Sequence, residues 1–176
     1  MKEEGVGKIL IDEKRLKKKI EELARAIDQD YHDKHPVIIS VLKGAFYFVA
    51  DLTRSLRIPI HIDFLAVGRY QNISDESGIV RITKDLDNSI ADRHVLMVED
   101  IIDTGLTLGY LLQNLQPRRP KSINVCTLLS NPSRRLVDLP IKYQGFEIPD
   151  VFVIGYGLDY NEDYRHLPYI AELNQE

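Results

Sequence analysis

The chain has 176 residues, 44% hydrophobic and 28% charged, with a formal net charge of -4 at pH 7. These totals suit one globular domain with a sizeable core and argue against a nonspecific nucleic-acid binder, which needs a basic surface. Cys126 is the single cysteine, which excludes an internal disulfide, and no apolar run has signal-peptide or membrane-spanning length, so a reducing, cytoplasmic setting and no membrane partner are expected.

Asp12 precedes a helical pattern in which Leu16, Ile20, Leu23, Ile27 and Tyr31 recur at spacings of three or four. Lys14, Arg15, Lys17, Lys18 and Lys19 crowd the other face, where Glu21 and Glu22 balance them as on a solvated helix surface. Pro36 stops this helix. Residues 37–42 form a continuous apolar run with β-branched side chains, read as a buried strand. After Lys43-Gly44, residues 45–56 read as a helix, apolar nearly all round. A strand at 60–67, a polar turn-rich loop at 68–78 and a return strand at 79–83 make a hairpin with a long tip.

A strand follows at 94–98 and a helix at about 104–115, closed by Pro117 and Pro120. The next strand is 122–129, Asn131-Pro132 is a turn, and 151–155 is a further short strand. Strands alternating with helices imply an α/β fold: a mostly parallel, twisted sheet flanked by helices. Ligands of such sheets sit outside the carboxyl ends of the strands.

The segment Val95-Leu96-Met97-Val98-Glu99-Asp100-Ile101-Ile102-Asp103-Thr104-Gly105-Leu106-Thr107-Leu108 lies at such an end. An apolar strand runs into two adjacent carboxylates, then a third, then Thr-Gly-x-Thr and a helix. Unpaired N–H groups at a helix start attract phosphate. Gly105 permits close backbone approach, while Thr104 and Thr107 add hydroxyls. The loop lacks Gly-x-x-x-x-Gly-Lys-Ser/Thr and is too short for a triphosphate; it suits one monophosphate. Glu99 and Asp100 repel each other unless sugar hydroxyls or a hard cation such as Mg²⁺ bridge them. Asp103, next to the phosphate amides, is a candidate general base. The bland alternative is that Asp100 and Asp103 cap the helix. Three acids together with Thr-Gly-x-Thr are poorly explained that way.

This segment resembles the phosphoribosyl-diphosphate motif of the type I phosphoribosyltransferases. Ser40-Val41-Leu42-Lys43-Gly44-Ala45 resembles that family's pyrophosphate loop, in which the peptide before the lysine can be cis. Residues 146–160, from Phe146-Glu147-Ile148-Pro149-Asp150 to Asp159-Tyr160, resemble the purine-binding end of its 6-oxopurine branch, the hypoxanthine-guanine phosphoribosyltransferases. Resemblance extends from about Ile9 to Leu173.

The resemblance implies one domain over 1–176, with a core at about 35–155, a small hood from the N-terminal segment and about 150–176, and a lid at 68–78. It implies transfer of the 5-phosphoribosyl group from 5-phosphoribosyl 1-diphosphate to N9 of hypoxanthine or guanine, giving IMP or GMP and pyrophosphate. By position, Glu99, Asp100, Asp103, Thr104, Gly105, Leu106 and Thr107 hold the ribose and its 5′-phosphate, and Asp103 takes the purine N7 proton. Lys43, Gly44 and Arg165 take pyrophosphate. Ile101, Asn131, Phe152, Val153 and Asp159 surround the purine, with Phe152 stacking on it. Glu99, Asp100 and Asp159 are the implied Mg²⁺ ligands. A homodimer or homotetramer is implied as well.

Two positions depart from the family pattern. Asn131 stands where a lysine usually donates to the purine 6-oxo group; an amide also accepts, which softens rejection of a 6-amino purine, and Arg134 or Arg135 is the candidate to compensate. The lid carries Arg69-Tyr70 in place of Ser-Tyr. The rivals are the same fold with xanthine or adenine preference, or a nucleic-acid-binding regulator derived from it, which would need a basic face or an added domain. His32, His35, His61, His94 and His166 have no paired zinc-ligand spacing, and Gly-x-Ser-x-Gly is absent, so a zinc site and a serine hydrolase are both disfavoured.

Overall fold

The computed structural model describes residues 5–70 and 79–174, of which 69, 70, 79 and 80 as backbone. A six-stranded sheet is ordered β4 (Ile79–Lys84), β3 (His61–Tyr70), β2 (Val37–Leu42), β5 (His94–Ile102), β6 (Ser122–Ser130) and β7 (Ile141–Glu147). Every pairing is parallel except β3 with β4. The alternation of elements therefore produces the expected twisted α/β architecture.

The central strands read as unbroken apolar runs because both faces are covered. Along β2, Ile38 joins the core under α1 (Glu13–Asp30) and α2 (Phe46–Ser55), while Val37, Ile39 and Val41 join the core under α3 (Leu106–Leu115). Along β5, Leu96 and Val98 face the first core, Val95 and Met97 the second. Helix α1 contributes Leu16, Ile20, Leu23, Ala24 and Ile27. Each large aliphatic side chain among them stabilises the fold by about 1.5–3 kcal/mol on burial. Asp12 caps α1 as anticipated, its Oδ1 accepting from the Arg15 backbone N–H at 2.8 Å. The basic face of α1 is engaged within the chain: Lys19 pairs with Glu22 at 2.8 Å, and Arg15 and Lys19 lie over the Phe146 ring.

Three differences from the sequence reading matter. Strand β5 continues to Ile102 instead of ending at Val98, because Glu99, Ile101 and Ile102 stay paired with Thr127, Leu129 and Ser130 of β6. Helix α3 starts at Leu106, not Thr104, leaving residues 103–105 as a loop. Strand β7 was not legible, since its polar residues Lys142, Gln144 and Glu147 interrupt the apolar pattern on an edge strand. A second sheet joins β1 (Val6–Ile11), β9 (Ile170–Leu173) and β8 (Val153–Ile154), tying the two ends of the chain together. The expected strand at 151–155 shrinks to β8. Residues 71–78 of the expected lid, and the side chains of Arg69 and Tyr70, lie outside the described residues.

The sheet order has a topological consequence. From β2 the chain crosses through α2 to β3 on one side, whereas β5 and β6 lie on the other. The strand order thus reverses between β2 and β5, and the carboxyl ends of those strands diverge to leave a crevice.

Candidate active site

The crevice is a cleft of about 570 Å³ lined by Gly44 from the end of β2, by Glu99, Asp100, Ile101, Asp103, Thr104, Gly105 and Thr107 from β5 and its loop, and by Asn131, Phe152, Val153 and Asp159. Twelve residues expected from sequence to serve one site therefore share one cavity wall. Leu106 is not among them; its side chain is exposed. Lys43 and Arg165 stand at its edge, beside Gly44 and Asp159. A separate cleft of about 500 Å³ between α1, α2 and the Tyr156–Pro168 segment holds none of these residues.

Local geometry explains how the loop is set. Gly105 caps α3 at φ 82°, a left-handed conformation suited to glycine. Neither Asp100 nor Asp103 caps that helix, so the bland reading of these acids fails; Thr104 Oγ1 accepts from the Leu106 N–H at 3.4 Å instead. The loop carbonyls are held from behind. The Asn131 N–H donates to the Ile102 carbonyl at 3.0 Å, the Leu136 N–H to Thr104 at 3.0 Å, and Arg135 Nε to Asp103 at 3.3 Å. Those carbonyls are thus occupied within the chain, and an anion in the cleft would have the amides of the loop to bind.

The acids differ in environment. Glu99 is buried, and burial followed by the neighbouring Asp100 charge pushes its carboxyl well above the usual range. Burial pushes Asp100 up to about 6, opposed by hydrogen bonds from the Ile101 and Asp100 backbone amides and by the Arg165 charge. Two adjacent carboxyls that resist ionisation await a cation or a hydroxyl-rich ligand. Asp103 Oδ2 pairs with Arg134 Nη1 at 3.1 Å, while its Oδ1 is buried and has no hydrogen-bond partner among the described residues.

A charge cluster gathers around Lys43 and Arg165, where the resemblance implies pyrophosphate. The peptide Leu42–Lys43 is cis. Lys43 Nζ meets Glu162 Oε2 at 2.8 Å; Arg165 Nη2 meets Asp159 Oδ1 at 2.8 Å and Glu162 Oε1 at 3.4 Å. Asp159 Oδ2 also accepts from the Glu162 N–H at 3.0 Å. Glu162 was not anticipated, since a lone acid in a tyrosine-rich turn carries no sequence signal. Phe152 on the cleft wall is 46% exposed, its ring set edge-on against Tyr160 at 5.6 Å. Asn131 is 2% exposed and its Oδ1 accepts from Ser133 Oγ at 2.6 Å. Neither nearby arginine takes over its place. Arg134 is engaged with Asp103 and Asp150, and Arg135 with Ser130 and the loop carbonyls.

Among the described residues no group of three or more His, Cys, Asp and Glu is arranged to hold a metal ion. Glu99 and Asp100 offer hard oxygen donors on the cleft, while both oxygens of Asp159 are engaged. That donor set fits a Mg²⁺ that takes one or two carboxylates and fills its shell with water and substrate phosphates.

A model described as the phosphoribosyl transferase domain matches residues 7–161. The chain is 47% identical over 173 residues to the hypoxanthine-guanine phosphoribosyltransferase of Bacillus subtilis, covering 98% of this chain and 96% of that one. It is 44% identical over 172 residues to the hypoxanthine-guanine phosphoribosyltransferase of Dictyostelium discoideum, covering 96% of each. Among solved structures, a Bacillus anthracis hypoxanthine-guanine phosphoribosyltransferase with a HEPES molecule in its active site superposes with a TM-score of 0.91 at 44% identity, covering 96% of this chain and 99% of that one.

Proposed function

The chain belongs to the phosphoribosyltransferase family, and from that premise we propose that it is a purine salvage enzyme. It transfers the 5-phosphoribosyl group of 5-phosphoribosyl 1-diphosphate to N9 of hypoxanthine or guanine, yielding IMP or GMP and pyrophosphate. One observation carries this reading. A loop suited to phosphate, a carboxylate pair and an exposed aromatic ring line a single cleft at the switch point of the sheet, with Lys43 and Arg165 at its edge.

Each role follows from chemistry. The loop amides with Thr104 and Thr107 hold the 5′-phosphate, and Glu99 and Asp100 hold the ribose hydroxyls. The purine stacks on Phe152 beside Ile101 and Val153, with Asn131 and Asp159 at its edge. N9 attacks the anomeric carbon as the bond to pyrophosphate breaks, and Asp103 Oδ1 accepts the N7 proton. The sugar gains positive charge in the transition state, which the buried carboxylates stabilise; Lys43 and Arg165 stabilise the departing pyrophosphate. Mg²⁺, held by Glu99 or Asp100 together with substrate oxygens, would supply charge neutralisation on the pyrophosphate. In this reading Asp159 serves Arg165 first and the metal second, because both its oxygens are already engaged.

A second reading within the class rests on Asn131. It is uncharged and buried, and an amide can accept as well as donate, which favours tolerance of a 6-amino purine once its Oδ1 exchanges Ser133 Oγ for the base. The chain acts as a homodimer or homotetramer in the cytoplasm; the single cysteine is free and buried, as a reducing setting permits. No helix among the described residues is long and apolar enough to cross a membrane.

The decisive experiment is a rate comparison with 5-phosphoribosyl diphosphate and Mg²⁺ across hypoxanthine, guanine, xanthine and adenine. Hypoxanthine and guanine should react fastest. No nucleotide from any of the four would overturn the proposal.

A further inference from the structure

The proton acceptor of the proposed reaction is one oxygen of Asp103, and what orients that oxygen was not legible in the sequence. Arg134 Nη1 lies 3.1 Å from Asp103 Oδ2, and Arg134 Nε lies 3.5 Å from Asp150 Oδ1. The arginine therefore bridges two acids from different parts of the chain, one in the loop after β5 and one just before β8. It stands on the short helical turn Pro132–Arg134 directly after β6, and its own N–H donates to the Asn131 carbonyl at 3.3 Å. Both it and Asp103 line the cleft.

We propose that Arg134 is a positioning residue that holds Asp103 by Oδ2 and leaves Oδ1 to take the purine proton; this rests on the role assigned to Asp103 above. The physical case has three parts. A carboxylate rotates about its last bond, and each rotation exchanges the oxygen offered to the base. The guanidinium on Oδ2 removes that freedom before substrate arrives, so none of it is lost at the moment of transfer. Arg134 suits the task better than lysine because its planar fork reaches Asp103 and Asp150 through different nitrogens at once, fixing its own orientation. The remaining oxygen is then the buried Oδ1, which has no hydrogen-bond partner among the described residues. A buried acceptor without a donor is costly unless a ligand supplies one, and a purine N7–H seated between Phe152 and Asn131 is a donor of the right kind. The arginine never touches the reacting atoms; it acts through Asp103.

The test is steady-state kinetics with hypoxanthine and 5-phosphoribosyl diphosphate for the wild type, R134M, R134K, D103N and the D103N/R134M double variant, with thermal unfolding as a check on folding. R134M should lower kcat about 10- to 100-fold, the scale of a misplaced catalytic group. KM for the sugar diphosphate should stay within about 2-fold, since uniform binding is untouched. R134K should recover part of the loss, because an ammonium reaches one acid but not both. In the D103N background, R134M should cost no further activity, as residues acting as a unit are non-additive.

Three results overturn the proposal while leaving the function intact: R134M with wild-type kcat, an equal fold-loss from R134M in the D103N background, or R134K no better than R134M. D103N with wild-type turnover removes the base and this proposal together. If R134M does not fold, R134Q keeps the polar stem and is judged by the same criteria.

Discussion

Gly44 and Asp100 sit so close that a β-carbon on residue 44 would overlap the Asp100 carboxylate. A β-carbon on Gly157 would in turn overlap the Gly44 carbonyl. Backbone and carboxylate from three distant parts of the chain are thus nested where the sugar diphosphate is proposed to bind. The β-carbon of Gly44→Ala should push the Asp100 carboxylate out of place. We expect kcat/KM for 5-phosphoribosyl diphosphate to fall at least about 10-fold, with a smaller effect on the purine KM. An unchanged kcat/KM would show that the carboxylate's position is not needed.

Asp103→Asn keeps the shape of the side chain but removes its capacity to take a proton. General-base catalysis contributes about 10²- to 10⁴-fold, so turnover should drop by at least about 100-fold on that scale. Affinity for the sugar diphosphate, measured by calorimetry, should hold. Turnover near wild type would refute the base.

Stability should depend on pH through the acidic pair. Asp100 is raised from 3.8 to about 6 by burial, and Glu99 is raised as well. The folded chain then binds more protons than the unfolded chain between the two values. The contribution of Asp100 is full below the ordinary carboxylate range and is lost as pH rises through about 6, and that of Glu99 runs in the same direction. In metal-free buffer, Tm should carry a component that declines between about pH 4 and pH 6.5, and Asp100→Asn should flatten it. Identical Tm profiles for the two proteins would contradict the assignment.

Gly105→Ala should destabilise the fold as well as the proposed phosphate loop. Residue 105 has φ 82°, and a β-carbon there would lie 2.8 Å from Leu139 Cδ1 and Val137 Cγ2. Left-handed strain together with crowding costs about 1–3 kcal/mol, readable as a lower urea midpoint at unchanged slope. A midpoint equal to wild type would mean the loop relaxes freely.

Asn131→Lys tests the base edge. A lysine donates without accepting, so the ratio of hypoxanthine to adenine rates should rise by about 10-fold, the worth of one added charged hydrogen bond. A ratio that does not move places residue 131 away from the purine's 6-position.

How much of this was legible in the sequence depends on how far each signal reaches along the chain. The run from Val95 to Thr107 declares a strand, acids and a phosphate turn within one continuous segment, because the chemistry needs those residues adjacent. Asp12 declares its cap for the same reason: the bond to Arg15 spans one turn. By contrast, β7 hid behind Lys142 and Gln144, whose exposure follows from an edge position decided elsewhere. The extent of β5 depended on pairing with β6, so reading it from apolar residues ended it too early.

The pairings that complete the site span longer distances still. Lys43 meets Glu162, Arg134 meets Asp103 and Asp150, and Val6 pairs with Leu173. By itself the amino-acid order determined the α/β alternation, the cleft-forming loop and the family, since these rest on local periodicity and contiguous motifs. Which oxygen of Asp103 is held, which anion shares Lys43 and Arg165, and how Asn131 is buried were decided by the tertiary structure. Side-chain contacts across the switch point depend on where strands lie in space, and a linear pattern carries no record of that.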